Sequence, residues 1–196
     1  MIALIIILAI IVIIVLWIWG LYNRLVSLKN QVKNAWSQID VQLQRRYDLI
    51  PNLIETVKGY MTYERSTLEA VINARNTAAG ALDKLSKSGG PTEGSMKELI
   101  AAESTLKGSV GQIFALAENY PQLKASETMQ KLQEELSSTE NKVAFSRQAY
   151  NDCVMIYNIS QQQFPAVLFA AAFGHKQTDQ FTVDAEEARK AVKVKF

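Results

Sequence analysis

Residues Ile2 to Trp19 form an unbroken run of 18 apolar side chains, and this run constrains the rest of the chain more than any other feature. At ~1.5 Å rise per residue, a helix of that length reaches ~27 Å, close to the hydrocarbon thickness of a thin bilayer. Nine Ile, three Leu and two Val lie within it. At roughly −0.3 to −0.6 kcal/mol each, they contribute about −4 to −8 kcal/mol toward insertion. Trp17, Trp19 and Tyr22 cluster where the run ends, and amphipathic rings favour the headgroup layer there. A cleaved leader would want a basic start, a shorter core and a small-residue cleavage site. No Lys or Arg precedes this run, and tryptophans occupy its exit. The reading is an uncleaved transmembrane anchor over residues 1–22, with Ile2, Ile10, Trp17, Trp19 and Tyr22 as its marker residues. The flank after it carries Arg24, Lys29 and Lys33, with no acid before Asp40. The positive-inside rule then predicts an outside N-terminus and a cytoplasmic body at the inner (plasma) membrane.

Beyond the anchor the spacing is helical. Apolar residues recur every three or four positions at Leu21, Leu25, Leu28, Val32, Trp36, Ile39 and Leu43, and again from Ile50 to Val71. Pro51 lacks a backbone donor, which predicts a kink or break between Tyr47 and Pro51. Lys84, Lys87 and then Gly89-Gly90-Pro91 predict a stop, with 88–94 as a turn. Ser95 and Glu98 have capping-box spacing, placing an N-cap at Ser95. The next stripe runs Leu99, Ala102, Leu106, Val110, Ile113, Ala117 and Tyr120, and Pro121 ends it. Gly108 and Gly111 within it are read as points of close helix packing. A third stripe runs Met129, Leu132, Leu136, Thr139, Val143, Ser146, Tyr150, Cys153, Tyr157, Ser160 and Phe164, a coiled-coil-like seam stopped by Pro165.

Three amphipathic stretches joined by short loops bury their stripes against one another. The expected fold is all-α: an N-terminal transmembrane helix followed by an antiparallel bundle of long helices over residues 23–165. Residues 166–196 form an apolar patch and a mixed-charge tail. The patch, 166–173, is too short to span a bilayer and is expected to pack on the end of the bundle; membrane or a neighbouring subunit is the alternative.

The chemistry of the chain is sparse. One histidine and one cysteine exclude Cys/His zinc sites within one chain. Cys153, on the seam, reads as an inert thiol, and His175, beside a glycine, as solvated. Glu134, Glu135 and Glu140 lack the Glu-x-x-His partners of a di-iron bundle. With Lys131, Lys142 and Arg147 they read as a solvated face. Neither phosphate-binding loop nor dinucleotide fingerprint is present. The net charge of +2 gives no basis for nucleic-acid binding. The expectation is no catalytic residues, no cofactor and no metal, hence no enzyme. The cluster Asp40, Arg45, Arg46 and Asp48, with Pro51, is the candidate interaction motif. Arg45 lies ~39 Å beyond Trp19 on a straight helix, too far for headgroups, so ion pairing to a partner helix is expected unless the bundle folds back onto the bilayer.

Several blocks together resemble the LemA family: Tyr22-Asn23-Arg24-Leu25-Val26-Ser27-Leu28, Ala35 to Leu43, Arg45-Arg46-Tyr47-Asp48-Leu49-Ile50-Pro51-Asn52-Leu53, Glu55 to Tyr60, Ala117-Glu118-Asn119-Tyr120-Pro121, Leu132 to Leu136, Tyr150-Asn151 and Phe164-Pro165. The resemblance spans nearly the whole chain in order. It implies a bacterial inner-membrane protein with an N-terminal anchor, a cytoplasmic helical bundle and no known catalytic activity. It also implies relatives in magnetosome membrane formation and beside membrane-protease or stress systems. Where that family often has glycines after Phe-Pro, this chain has Ala166 to Phe173. The function expected is a membrane-anchored, non-catalytic helical scaffold. Its partners are the lipid bilayer, further copies of itself as a homo-oligomer, or a membrane protein. The alternative is a regulatory adaptor subunit of a membrane protease or transporter.

Overall fold

A computed structural model describes residues 1–61, 63–87, 91 and 93–182, with Glu93 by its backbone alone. The expected mixed-charge tail beyond 182 and most of the 88–94 turn lie outside the described residues. Among the described residues, four long helices and two short ones make up the fold, all-α as expected: α1 (Ile2–Lys58), α2 (Arg65–Lys87), α3 (Glu93–Ala117), α4 (Pro121–Lys124), α5 (Glu127–Gln162) and α6 (Val167–Ala170).

The apolar run read as an anchor and the first body helix are one continuous α1. The break predicted at Tyr47–Pro51 does not occur: α1 continues to Lys58, and α2 starts at Arg65. Pro51 sits inside α1 with an exposed side chain. The carbonyl it leaves without an i+4 N–H is that of Tyr47, and Arg75 Nε on α2 donates to that oxygen at 3.2 Å. A side chain thus takes over the missing main-chain bond and the helix continues.

α5 runs antiparallel to α1. The ring of Trp36 meets that of Tyr150 at 5.7 Å, which sets the register. The 36 residues of α5 therefore accompany α1 from about Lys58 down to the apolar run. α2 and α3 form an antiparallel hairpin on the outer half, held near the ends that the chain connects by Lys84–Glu98 at 2.6 Å. α3 reaches α5 through Lys107–Glu140 at 2.5 Å. The last polar contact of α2 with α1 is Ser86 Oγ donating to Asp40 at 3.3 Å. From that level to the apolar run, α1 and α5 form a stalk.

One core runs through bundle and stalk. Ile39, Leu43, Leu53, Val57, Val71, Ala78, Leu85, Leu99, Leu106, Ile113, Leu123 and Tyr150 are almost wholly buried. The three-four stripes produce it, with corrections. α3 begins at Glu93, so Ser95 lies inside the helix rather than at its cap. Gly108 and Gly111 are exposed, and a Cβ at either would meet nothing within 4 Å. No helix of the same chain packs closely on them. On α5 the seam drifts at its end: Val154 is buried while Cys153 is half-buried against the core, and Phe164 is exposed. A strict three-four alternation averages 3.5 residues per turn against the 3.6 of a straight helix, so the buried face migrates along it.

Past α5, a cis Phe164–Pro165 bond leads into α6. Ala166 and Ala170 are buried, at the foot of the stalk rather than on the end of the four-helix part, while Val167 and Leu168 face outward. Gly174, at φ 73°, ends this turn. The N–H of His175 reaches the Ala170 carbonyl and that of Gly174 the Ala171 carbonyl, a Schellman closure. Residues 175–182 then run back along α5.

Candidate functional site

The three-four spacing that buries Leu43 and Ile50 also turns Arg46 and Tyr47 inward, so α1 carries a charge on its buried face. Glu103 interrupts the stripe of α3 in the same way. Arg46 Nη1 lies 2.9 Å from Glu103 Oε2, with side-chain exposures of 9% and 11%. The Tyr47 hydroxyl donates to Glu103 Oε1 at 2.6 Å. Burial pushes the Tyr47 phenol far above its ordinary range, and the Glu103 carboxylate raises it further against the opposing Arg46 charge. Loss of solvent lowers Arg147 on α5, with the Glu103 charge acting the other way. Arg147 also stacks over the Phe181 ring at 4.1 Å. It is thus half-buried rather than part of a solvated face.

Every long helix contributes to this cluster: Arg46 and Tyr47 from α1, Arg75 from α2, Glu103 from α3 and Arg147 from α5. Both carboxylate oxygens of Glu103 are engaged. A guanidinium cannot act as a base, and a buried tyrosine held protonated is no nucleophile. What the arrangement can do is fix helix register, since any sliding leaves a buried charge unpaired. Among the described residues no three His, Cys, Asp or Glu side chains come together as metal ligands.

The candidate motif divides around α1. Arg46 points to Glu103, Arg45 points to solvent, and Pro51 is exposed. Asp40 accepts from Gln44 at 3.4 Å and from Ser86. Asp48 lines an open groove of ≈ 250 Å³ between α1 and α2, with Gln44, Arg75, Asp83 and Ser86. Sequence pattern alone does not single out Glu103, Arg75 or Arg147 as members of a site. A carboxylate between the apolar Ala102 and Leu106 is the available signal for the first of them.

A second set of polar contacts ties the tail to the stalk. Asn151 donates to the Phe181 carbonyl at 3.1 Å and accepts from its N–H at 2.7 Å. Asn158 makes the same pair of bonds to Thr178, at 2.8 and 3.0 Å. Seven helical residues rise ~10.5 Å and three extended residues span ~10 Å, so two asparagines a heptad apart match an extended strand. The Tyr150 hydroxyl donates to the Asp179 carbonyl at 2.9 Å. His175 is buried rather than solvated, with Nδ1 2.9 Å from the Tyr157 hydroxyl. Burial, then Lys29, lowers its pKa.

At the other end, Ile2, Ile10, Trp17 and Trp19 are exposed on α1 with no protein around them. α1 is the one described helix long and apolar enough to cross a membrane. Tyr22 marks its exit and meets Phe173 edge to face at 5.2 Å.

The model of the LemA family matches residues 35–196. Magnetosome protein MamQ 2 of Paramagnetospirillum magneticum is 25% identical over 174 residues, covering 82% of this chain and 64% of that protein. Magnetosome protein MamQ of Magnetospirillum gryphiswaldense is 24% identical with the same coverage. Protein LemA of Metamycoplasma hominis is 26% identical over 140 residues, 71% of this chain and 58% of that protein. The chain thus spans less than two thirds of the length of these curated relatives. The relatives and the apolar helix together fit a membrane protein.

Proposed function

The chain belongs to the LemA family, and on that premise we propose that it is a membrane-anchored, non-catalytic helical scaffold that self-associates or recruits partners at the bacterial inner membrane. The MamQ relatives are magnetosome proteins by name, which supports placement on a membrane. Arg24, Lys29 and Lys33 after the apolar run favour a cytoplasmic body. A non-catalytic role is supported by the Glu103 cluster, whose buried charges satisfy one another and leave no activated group.

The observation behind self-association is the stalk. Met155, Ile156 and Ile159 stand 46%, 47% and 45% exposed on α5, side by side. A contiguous apolar stripe on a soluble surface marks an interaction face. Copies confined to one membrane with their stalks parallel would present this stripe to each other at high effective concentration. Mass photometry of the full chain extracted into lipid nanodiscs tests the reading. Oligomers are expected, and Ile156→Lys with Ile159→Lys shifts them toward monomer. A monodisperse monomer at native membrane density overturns self-association. Purification with one stoichiometric foreign membrane protein would favour instead a regulatory adaptor of a membrane protease or transporter. Protease added to sealed right-side-out vesicles tests orientation, and digestion of the bundle would place it outside.

A further inference from the structure

The end of α5 and α6 stand at a definite height relative to the apolar run. Trp36 faces Tyr150, and in an antiparallel pair each step down α1 is a step up α5. Fourteen residues from Trp36 to Tyr22 therefore bring Phe164 level with Tyr22. The Tyr22–Phe173 ring contact places the residues after α6 at the same height independently. Tyr22 lies three residues past Trp19, ~4.5 Å along the axis. A headgroup layer is about 5–7 Å deep on each side of the hydrocarbon core. Phe164, Val167 and Leu168 thus fall within the layer that the anchor leaves.

These three side chains are exposed, at 80%, 49% and 65%. The other face of the same segment is occupied, since Ala166 and Ala170 are buried at the foot of the stalk. The charges around them have one sign. Residues 21–39 and 153–178 include Arg24, Lys29, Lys33 and Lys176 and no Asp or Glu. Arg24, Lys29 and Lys176 are exposed. An apolar wedge rimmed by cations, continuous with a membrane span, matches an anionic lipid surface, in which the acyl boundary takes the wedge and phosphates meet the rim.

We propose that Phe164 and α6 insert into the headgroup layer of the leaflet from which the bundle projects, as a second, monotopic contact beside the anchor. This rests on the anchoring of α1 proposed above. One helix alone leaves the body free to swivel and tilt. A second contact on the far side of the stalk fixes both, and holds the Met155–Ile159 stripe parallel to the membrane normal for a neighbouring copy.

The full chain with Cys153→Ser and either Leu168→Cys or Phe145→Cys, labelled with an environment-sensitive fluorophore, is reconstituted in phosphatidylcholine vesicles containing a quarter phosphatidylglycerol. Phe145 is 73% exposed but stands ~33 Å beyond Trp19 by the same register. Lipids spin-labelled near the headgroup should quench the Leu168 label several-fold more than the Phe145 label, and aqueous iodide should do the reverse. Iodide access at Leu168 equal to that at Phe145, in vesicles that still float with the chain, overturns the wedge alone. Protection from iodide without lipid quenching means protein covers the patch, and overturns it too. Loss of flotation overturns the anchor and this proposal with it.

Discussion

Arg75 on α2 supplies the hydrogen bond that Tyr47 on α1 is denied by its own helix, Nε to carbonyl oxygen at 3.2 Å. The pairing explains how a proline can sit mid-helix without ending it, and makes α1 dependent on α2 at one point.

That dependence is measurable as a double-mutant cycle. Arg75→Ala should destabilise the detergent-solubilised chain by about 1–3 kcal/mol, the cost of a buried carbonyl left unpaired. Pro51→Ala should stabilise it, because an alanine at that position restores the N–H that Tyr47 lacks. In the Pro51→Ala background, Arg75→Ala should cost less than half as much. Thermal unfolding followed by circular dichroism reads both, and equal costs in the two backgrounds would dissociate Arg75 from the proline.

The Glu103 cluster predicts an asymmetry between breaking and replacing. Glu103→Leu strands Arg46 at 9% exposure and removes the acceptor of Tyr47. A loss of about 3–5 kcal/mol is expected. Adding Arg46→Met and Tyr47→Phe should recover most of that loss, since no polar group is then left unpaired. If the triple variant unfolds as readily as Glu103→Leu alone, the cluster has a role beyond pairing its own charges.

The helices are legible in the sequence because a three-four stripe and its stop signals depend only on neighbours along the chain. The points that escape depend on distant residues. Whether Pro51 breaks α1 is decided by Arg75, 24 positions away on another helix. His175 looks solvated beside Gly174, yet Tyr157 and Tyr22 close around it once the tail folds back. Glycines at 108 and 111 suggest close packing, a reading that requires knowing which face of α3 has a neighbour. Of the candidate motif, Arg45 and Arg46 are adjacent in sequence, but the ~100° step of a helix sends them to different surroundings.

Docking of the tail should respond to pH and to the asparagines. His175 is held neutral in the docked state by burial and by Lys29, so its pKa lies below the usual value of about 6.5. Docking is complete above that value and weakens as pH falls below it, by at most tenfold per pH unit for one proton. Amide protection factors at Thr178 and Phe181 should fall below about pH 6.5, and His175→Gln should flatten the response. Asn151→Asp should loosen Phe181, because a carboxylate can accept from the Phe181 N–H but repels its carbonyl instead of donating to it. Retained protection in Asn151→Asp would mean the tail is held by Phe181 burial rather than by the clamp.

Gly108 and Gly111 offer the most direct gain in stability. Both lie inside α3, exposed, and a methyl group added at either would have nothing within 4 Å of it. Each glycine loses more chain freedom on folding than alanine does, at about 0.5–1 kcal/mol in a helix interior. Gly108→Ala with Gly111→Ala should therefore stabilise the monomeric fold by about 1–2 kcal/mol, read as a higher melting temperature. The same pair separates folding from assembly. If another copy approaches α3 at these positions, the variant will melt higher as an isolated chain yet associate less in nanodiscs. If the stalk stripe mediates assembly instead, oligomer size will be unchanged while the melting temperature rises.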